Sequence, residues 1–297
     1  MLFKYLSDTS YSLNSIANDE FFFSNREQFN DPIDCNPPVI LPDAQQYCDK
    51  YQELVFNLKN IDEDLRTLLS NDRVMRANFS LLSDKKRILE GLRYQADNTG
   101  ILCLSKKHND PLMWSHYSGG HSGFCLGLDI PFINKYLWED YRISDQALGM
   151  LRQVDYSNEP LDFSKLYFTL VGLMFEKSRN DKGFIEYDSG FDVFEKRKMA
   201  NIMFHHFNIF NLSHKYSSWS YEEEVRLIIP PAGDGNESRK LIKFKPNVIQ
   251  KVYFGFKMLD SSKTTVRRIL ETSSHPIEYY QALYNKDKVG LIFERLN

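Results

Sequence analysis

Two glutamates and an arginine stand at alternate positions in the segment WSYEEEVRLI, residues 219–228. If the segment is a strand, Glu222, Glu224 and Arg226 share one face, because strand side chains alternate between faces. Carboxylates ~7 Å apart repel each other, which raises one pKa unless a cation such as Arg226 lies between them. The face is either a solvated ladder of cross-strand ion pairs or a reactive site, and the flat apolar ring of Trp219 favours a site.

A second segment, WSHYSGGHSG at residues 114–123, concentrates aromatic and titratable side chains. Trp114, His116, Tyr117 and His121 lie close together, and the glycines allow the backbone to approach a ligand. The alternative is that Trp114 and Tyr117 belong to the core while one histidine bonds a backbone carbonyl. The histidine spacing matches no metal motif, so no metal site is predicted here.

Other reactive patterns are scarce. The chain has no GxSxG, GxxxxGK[ST], GxGxxG or HExxH motif, so serine hydrolases, phosphate-loop enzymes, Rossmann dehydrogenases and zincins are not predicted. FNDPID, residues 29–34, is typical of a turn, in which we expect Asp31 and Asp34 to be solvated. The four cysteines have no CxxC spacing and are expected to be reduced.

Length and composition predict a globular protein. The 297 residues are 42% hydrophobic and 26% charged, enough for a substantial core. A formal net charge of −3 gives no overall electrostatic sign of a nucleic-acid partner. Because neither a signal-peptide run nor an apolar stretch of ~18 residues is present, we expect a cytoplasmic protein that does not bind a membrane.

The elements that must position these residues alternate between strand and helix patterns. Asp110 is expected to cap a helix that begins at Pro111 and ends at Gly119–Gly120. Residues 43–98 predict a helical insertion, helices are expected to dominate residues 131–218, and a further helix is predicted at 260–273. Strands are predicted at 2–7, 20–24, 101–105, 123–129 and 152–157, and in EEVRLIIP, KLIKFK, VIQKVYFGF, IEYYQALY and VGLIFERL. The fold class is therefore α+β, a single domain over residues 1–297 with a mixed or antiparallel sheet built from both chain ends.

Taken in order, several of these segments resemble the bacterial family known as domain of unknown function 2971. The resemblance covers nearly the whole chain but implies no established activity. It rests on LFKY, FFFS, FNDPIDC, ILCLS and PLMWSHYSGGHSGFCLGLD, and on Lys215 followed by Trp219, Glu222, Glu224 and Arg226.

The order of elements is also similar to ADP-ribosyltransferase-like proteins, which include toxins that modify nucleic acid. Those proteins hold NAD with an Arg or His on the first strand, carry Ser or Tyr in a second motif and use an essential Glu in a third. The resemblance implies that Lys4 or Tyr5 stands at the first motif, Ser105 or Tyr117 at the second, and Glu224 or Glu222 at the third. The first strand departs from the pattern because it has neither Arg nor His.

The predicted function is an ADP-ribosyltransferase-like enzyme, or a toxin or defence effector, that uses NAD as co-substrate and a nucleic-acid or protein acceptor. A carboxylate beside the ribose would stabilise the oxocarbenium-like state through which the nicotinamide–ribose bond breaks. The expected catalytic residues are Glu224, Glu222 and Arg226. The residues expected to bind NAD, or another nucleotide-type small molecule, are Lys4, Tyr5, Ser105, Trp114, His116, Tyr117, His121 and Trp219.

Two alternatives remain open at this stage. The first is a non-catalytic ligand-sensing or binding module of a defence system, in which the segments around Trp114 and Trp219 line the pocket. The second is a metal-dependent nuclease, because carboxylates suit hard cations. Its ligands would be Asp31, Asp34, Glu222 and Glu224.

Overall fold

The computed structural model describes residues 1–56, 63, 67, 70–71, 85–132, 139–144, 147–164, 208–229, 241–271, 273, 275–287 and 290–296. The chain forms two compact units, one of residues 1–34, 97–158 and 215–297 and the other of residues 35–96 and 159–214. The single domain expected over residues 1–297 stays a prediction.

The first unit is built on a nine-stranded sheet. Its strands are β1 (Leu2–Leu6), β4 (Gly100–Ser105), β5 (Phe124–Leu128), β6 (Glu139–Ser144), β7 (Ala147–Gln153), β11 (Glu224–Ile229), β13 (Ile249–Phe254), β14 (Glu278–Tyr284) and β15 (Leu291–Leu296). Their order is β15-β14-β13-β5-β1-β4-β11-β7-β6. Strands β13 and β14 pair in parallel, and the other neighbours are antiparallel. The α+β class and a mixed sheet drawn from both chain ends are confirmed.

Shorter strands and helices complete the described elements. Strand β2 (Glu20–Phe22) pairs with β12 (Leu241–Lys243), and β3 (Val39–Ile40) pairs in parallel with β9 (Leu161–Asp162) in the second unit. The helices are α1 (Ser10–Asn18), α2 (Ala44–Phe56), α3 (Lys85–Asn98), α4 (Pro111–Tyr117) and α5 (Asp260–Leu270). The remaining described elements are strands β8 (Asp155–Tyr156) and β10 (His214–Lys215) and two 3-10 helices, Arg26–Gln28 and Ser217–Glu222.

Helix α4 begins and ends where the sequence predicts. The side chain of Asp110 accepts hydrogen bonds from the N–H groups of Leu112 and Met113 at 2.9 and 3.3 Å, and Pro111 occupies the first turn. Gly119 and Gly120 follow the helix with φ of 60° and 63°, a left-handed conformation that glycine adopts without strain. The cap and the two glycines fix α4 against the sheet.

Helices α2 and α3 lie within the helical insertion predicted at residues 43–98. Most of the residues between them are outside the described ranges. Residues 165–207, which make up most of the stretch where helices were expected within residues 131–218, also lie outside the described ranges.

The expectation that helices dominate residues 131–218 is wrong for its first part. Residues 139–144 and 147–153 form the antiparallel strands β6 and β7 at the edge of the sheet. Ile143 and Leu151 are fully buried there, and Leu151 stands opposite Leu227 of β11. Pairing with a neighbouring strand therefore overrides the local helical pattern.

The sheet buries two clusters, one on each face. The larger cluster includes Leu102, Leu126, Val225 and Leu227, with residues of α1 and α5 packed against them. The smaller cluster includes Phe3, Tyr5, Cys125 and Tyr253, with Met113 and Trp114 of α4. Because side chains alternate along a strand, Glu224 and Arg226 lie on the α4 face of the sheet.

Candidate functional site

A cavity of about 200 Å³ lies where strands β1 and β4 separate. These strands pair at one register position, Phe3 with Ser105, whereas Ile101 further along β4 pairs with Ser24. Between these two points the carbonyl of Cys103 accepts a hydrogen bond from the Lys4 ammonium at 3.1 Å. A side chain thus takes the place of a main-chain donor, and the gap in the ladder becomes the floor of the cavity.

The cavity lies within the first unit, and four parts of the chain line it. Strands β1 and β4, with Ser24, supply one wall. The turn at 28–34 supplies a second, α4 a third, and the segment 215–224 the last. The lining residues are Lys4, Tyr5, Ser24, Gln28, Phe29, Asn30, Asp31, Asp34, Ile101, Cys103, Leu104, Met113, Tyr117, Lys215, Trp219, Glu222 and Glu224.

A buried ammonium lies at the centre of the charged wall. Lys215 Nζ is 2.7 Å from Glu222 Oε2, 3.1 Å from Glu224 Oε2 and 3.3 Å from Asp34 Oδ2. The ammonium donates hydrogen bonds to Glu222 and Glu224, and it forms an ion pair with Asp34. The same ammonium lies 5.1 Å from the centre of the Trp219 ring, within cation–π range.

Arg226 completes the charged cluster behind the cavity wall. Its Nε donates to Glu224 Oε1 at 2.8 Å, and its Nη2 donates to Asp34 Oδ1 at 2.7 Å. Asp34, Lys215, Glu222, Glu224 and Arg226 are each at most 8% exposed, which rules out the solvated ladder as their arrangement. Three carboxylates face two cations, so the fully ionised cluster carries a net charge of −1.

The pKa values of the two glutamates are driven in opposite directions. Burial and the neighbouring charge of Glu224 raise the pKa of Glu222 to about 6, although Lys215 and Tyr117 both favour its ionised form. Burial also opposes ionisation of Glu224, but the charges of Arg226 and Lys215 outweigh it and hold the pKa of Glu224 well below its usual range. At neutral pH Glu224 is therefore a fixed anion, whereas Glu222 exchanges a proton readily.

Aromatic side chains around the cavity hold their positions through polar contacts. Tyr117 Oη donates to Glu222 Oε1 at 2.5 Å, and burial together with the Glu222 charge raises the pKa of this phenol. Trp219 Nε1 donates to Asp31 Oδ2 at 2.8 Å. Both rings are therefore fixed beside the carboxylates before a ligand binds.

The interpretation that places Glu222 and Glu223 on the same strand as Glu224 and Arg226 is wrong. Ser217–Glu222 is a 3-10 helix, Glu223 has a left-handed φ of 41°, and β11 starts only at Glu224. Glu222 thus shares a site with Glu224 through Lys215 rather than through strand alternation. A left-handed conformation is unfavourable for a residue with a side chain, and it marks a site where surrounding contacts compensate the strain.

Main-chain contacts hold this irregular segment. The Ser105 hydroxyl donates to the Glu222 carbonyl at 2.6 Å, and the N–H of Lys106 donates to the Glu223 carbonyl at 3.2 Å. The N–H of Glu224 donates to the Tyr156 hydroxyl at 2.8 Å. Neighbouring strands therefore fix the backbone on both sides of the left-handed residue.

The structure brings six of the predicted site residues to the cavity: Lys4, Tyr5, Tyr117, Trp219, Glu222 and Glu224. Ser105 supports the Glu222 backbone, and Arg226 lies behind Glu224. Neither of them lines the cavity.

The other predicted residues lie apart from the cavity. Trp114 is fully buried, which agrees with the alternative that it belongs to the core. Its Nε1 donates to the His108 carbonyl at 2.7 Å. His116 is exposed, with its ring 6.3 Å from that of Trp219. His121 lies in the loop after α4 with a φ of 72°.

Sequence reasoning missed the role of the turn at residues 29–34. Asp34 was expected to be solvated, but it is 4% exposed and contacts both cations of the cluster. Asp31 is half-buried and bonds the Trp219 indole. Lys215 was noted only within the family pattern. The available signal was charge balance, because two buried glutamates beside one arginine require a second cation.

The carboxylates of the cavity are already engaged by protein groups. Asp34, Glu222 and Glu224 are ion-paired, and Asp31 accepts from an indole. Among the described residues, no group of three or more His, Cys, Asp or Glu side chains is arranged to hold a metal ion. Within the same residues, no helix has the length and apolar character that crossing a membrane requires.

Comparisons with known proteins give one match. No curated protein and no solved structure matches the chain. Residues 113–227 match the model of a family described as "Protein of unknown function (DUF2971)". The matched stretch carries Tyr117, Lys215, Glu222, Glu224 and Arg226 of the site, whereas Asp34 lies outside it. The match confirms, over these residues, the resemblance predicted from the sequence.

Proposed function

We propose that the protein is an ADP-ribosyltransferase-like enzyme that takes NAD as co-substrate and transfers ADP-ribose to a nucleic-acid or protein acceptor. The observation that carries the proposal is that Glu222 and Glu224 line one cavity and share the Lys215 ammonium, an arrangement that drives the pKa of Glu222 upward and that of Glu224 downward. Pairs of this kind divide the roles of proton acceptor and permanent anion between them. The fold class alone supports no activity, whereas the residues of the site support this one.

Glu224 is suited to stabilise a developing positive charge. It lines the cavity and stays ionised at neutral pH, because Arg226 and Lys215 hold its charge in place. When the bond between nicotinamide and C1′ of the ribose breaks, the bonding electron pair leaves with the neutral base, and the sugar becomes an oxocarbenium-like cation. A fixed anion in a buried site stabilises such a cation without reorganising during the reaction.

Glu222 is suited to accept the proton that the acceptor loses. An acceptor O–H or N–H forms the new bond to C1′, and its proton then has to leave. A carboxylate with a pKa of about 6 accepts a proton near neutral pH more effectively than one with an ordinary pKa. The Tyr117 hydroxyl and the Lys215 ammonium, which hold separate oxygens of Glu222, fix the carboxylate for this step.

The cavity matches the reactive end of NAD in size and charge. Its volume of about 200 Å³ lies below the ~300–1,000 Å³ of pockets that enclose a whole drug-sized ligand, so it suits one ring with its sugar. The nicotinamide ring of NAD is cationic, and the cluster carries an excess negative charge. Trp219 and Tyr5 add aromatic surface.

Lys4 is available to an anionic or hydroxyl group of the substrate. Its ammonium donates to the Cys103 carbonyl, and no carboxylate of the described residues lies within ion-pair distance of it. It therefore differs from Lys215, which is ion-paired with three carboxylates. We assign to Lys4 the part that the Arg or His of the first strand plays in the similar proteins.

The test is release of nicotinamide from NAD by the purified chain, with and without added nucleic acid or protein acceptors. We expect release by the wild type and a loss of about 100-fold or more in Glu224→Gln, as for other preorganised electrostatic groups. Glu223→Gln is the matched control, because Glu223 is a neighbouring surface residue that pairs with Lys107. Full turnover of NAD by Glu224→Gln, or none by the wild type with any acceptor, refutes the proposal.

A non-catalytic ligand-binding module is the second candidate function. It is favoured by the completeness of the ion pairs, since Arg226 and Lys215 already neutralise most of the negative charge that a reaction would use. The two candidates differ in one measurement. Stabilisation of the fold by NAD or nicotinamide without any release of nicotinamide supports binding alone.

A further inference from the structure

Asp34 joins the site from a distant part of the sequence. It follows the turn at residues 29–33 and lies outside the stretch that matches the family. Its carboxylate is 2.7 and 2.9 Å from Arg226 Nη2 and 3.3 Å from Lys215 Nζ. No other described carboxylate except Glu224 contacts both cations of the cluster.

These contacts place Asp34 in competition with the two glutamates. Lys215 has three donors and three carboxylate partners, and Asp34 is the most distant of the three. Neutralising Asp34 would remove one negative charge that Lys215 and Arg226 now share with the glutamates. Both glutamates would then face more positive charge, and the ammonium would shift away from Asp34.

We propose that Asp34 is a positioning residue, which sets the placement and the charge state of Glu222 and Glu224 through its ion pairs with Lys215 and Arg226. The turn at residues 29–34 is therefore part of the reactive site. The effect of Asp34 on the reaction rate rests on the proposed transfer reaction, whereas its effect on the two glutamates does not.

The proposal concerns a titrating group with several charged or ionisable neighbours. The Tyr117 hydroxyl of α4 bonds Glu222, and Tyr156 of β8 bonds the backbone of Glu224. Lys215 and Glu224 interact with Glu222 directly, as do the phenols of Tyr117, Tyr156 and Tyr221. Asp34 contacts Lys215, and Arg226 contacts Glu224. Asp34 differs from the three phenols because its carboxylate is ion-paired with both cations.

Asp34→Asn is the test variant, because it removes the charge and keeps the shape. Carboxyl carbon NMR of chain labelled at glutamate follows the titration of Glu222, and Glu222→Gln identifies its resonance. We expect the Glu222 titration to move to lower pH in Asp34→Asn. Asp31→Asn is the matched control, since Asp31 lies in the same turn and bonds Trp219 rather than either cation. It should leave the titration where it is in the wild type.

Kinetics supply a second readout if the wild type releases nicotinamide. We expect kcat of Asp34→Asn to fall by about 10- to 100-fold with little change in KM, because misplaced catalytic groups affect the chemical step. The acid limb of its pH profile should move to lower pH together with the NMR titration. A wild type without activity refutes the proposed function but leaves the NMR test of Asp34 intact.

An unchanged Glu222 titration in folded Asp34→Asn overturns the inference, whatever the activity. If Asp34→Asn does not fold, Asp34→Glu replaces it. This variant keeps the charge but changes its distance from Lys215, so the Glu222 titration must move in either direction. A titration identical to that of the wild type overturns the inference in this case too.

Discussion

The raised pKa of Glu222 predicts how the stability of the protein depends on pH. The pKa rises from 4.5 to about 6 on folding, and a tenfold change in proton affinity corresponds to ~1.4 kcal/mol, so the effect amounts to ~2 kcal/mol. The folded protein binds this proton more tightly than the unfolded chain. Protonated Glu222 therefore stabilises the fold below pH 4.5, and this stabilisation is lost as the pH rises through about 6.

Glu222→Gln isolates this contribution, because glutamine does not titrate. Urea unfolding at a series of pH values gives the free energy of unfolding of each protein. The wild-type value minus the variant value should fall by ~2 kcal/mol between about pH 4 and about pH 7. Glu223→Gln, a neighbour with a side chain 40% exposed, should show no step of this size, because its ion pair with Lys107 lies at the surface.

A difference that does not vary with pH would refute the assignment of a raised pKa to Glu222. A difference that rises with pH would show that Lys215 outweighs both burial and Glu224, so that Glu222 is held ionised. In that case Glu222 would not exchange a proton near neutral pH, and the role of proton acceptor that we propose for it would be refuted.

Three further predictions concern Glu224, Trp219 and Gly123. Glu224→Gln should lower the free energy of unfolding by about 3–5 kcal/mol in urea titrations, because it leaves buried Lys215 and Arg226 short of a partner. Trp219→Phe should weaken the binding of NAD or nicotinamide about tenfold in calorimetric titrations, since the ring loses its bond to Asp31 and a broad stacking surface. Gly123→Ala should lower Tm far more than Gly120→Ala, because an added Cβ at Gly123 would lie 2.1 Å from the Leu6 carbonyl oxygen, whereas at Gly120 nothing lies within 4 Å.

The sequence predicts the sheet better than it predicts the site. Strands β1, β4, β5 and β13 have apolar runs bounded by turn residues, and the cap and glycines of α4 are explicit local signals. These signals depend on neighbouring residues alone. The fold class and most strands in the described residues therefore follow from the pattern.

The wrong sequence predictions share one physical cause, which is contact between residues that lie far apart in the chain. Strand β6 is held by pairing with β7, and β7 by pairing with β11, which lies more than 70 residues further along the chain. The 3-10 helix before Glu224 depends on bonds from Ser105 and Lys106, and the burial of Asp34 depends on Lys215 and Arg226. Strands β6 and β7 are close in sequence, but no local window contains both partners of the β7–β11 pairing, of the bonds from Ser105 and Lys106, or of the ion pairs of Asp34.

The glutamates were identified for a partly wrong reason. Strand alternation was expected to place Glu222 beside Glu224, but the left-handed turn at Glu223 and the shared Lys215 bring them together. The residue types were informative because like charges so close in sequence need a cation wherever they are buried. Their geometry required the fold.

The bond between Asp34 and Arg226 joins residues 192 positions apart. During synthesis Asp34 is made long before Arg226, so the ion pair between them forms only after most of the chain is complete. Closure of so long a loop comes late in folding. A fragment that ends before residue 215 holds Asp34 but neither Lys215 nor the glutamates. Incomplete chains on the ribosome therefore carry Asp34 without the cations that neutralise it in the folded protein.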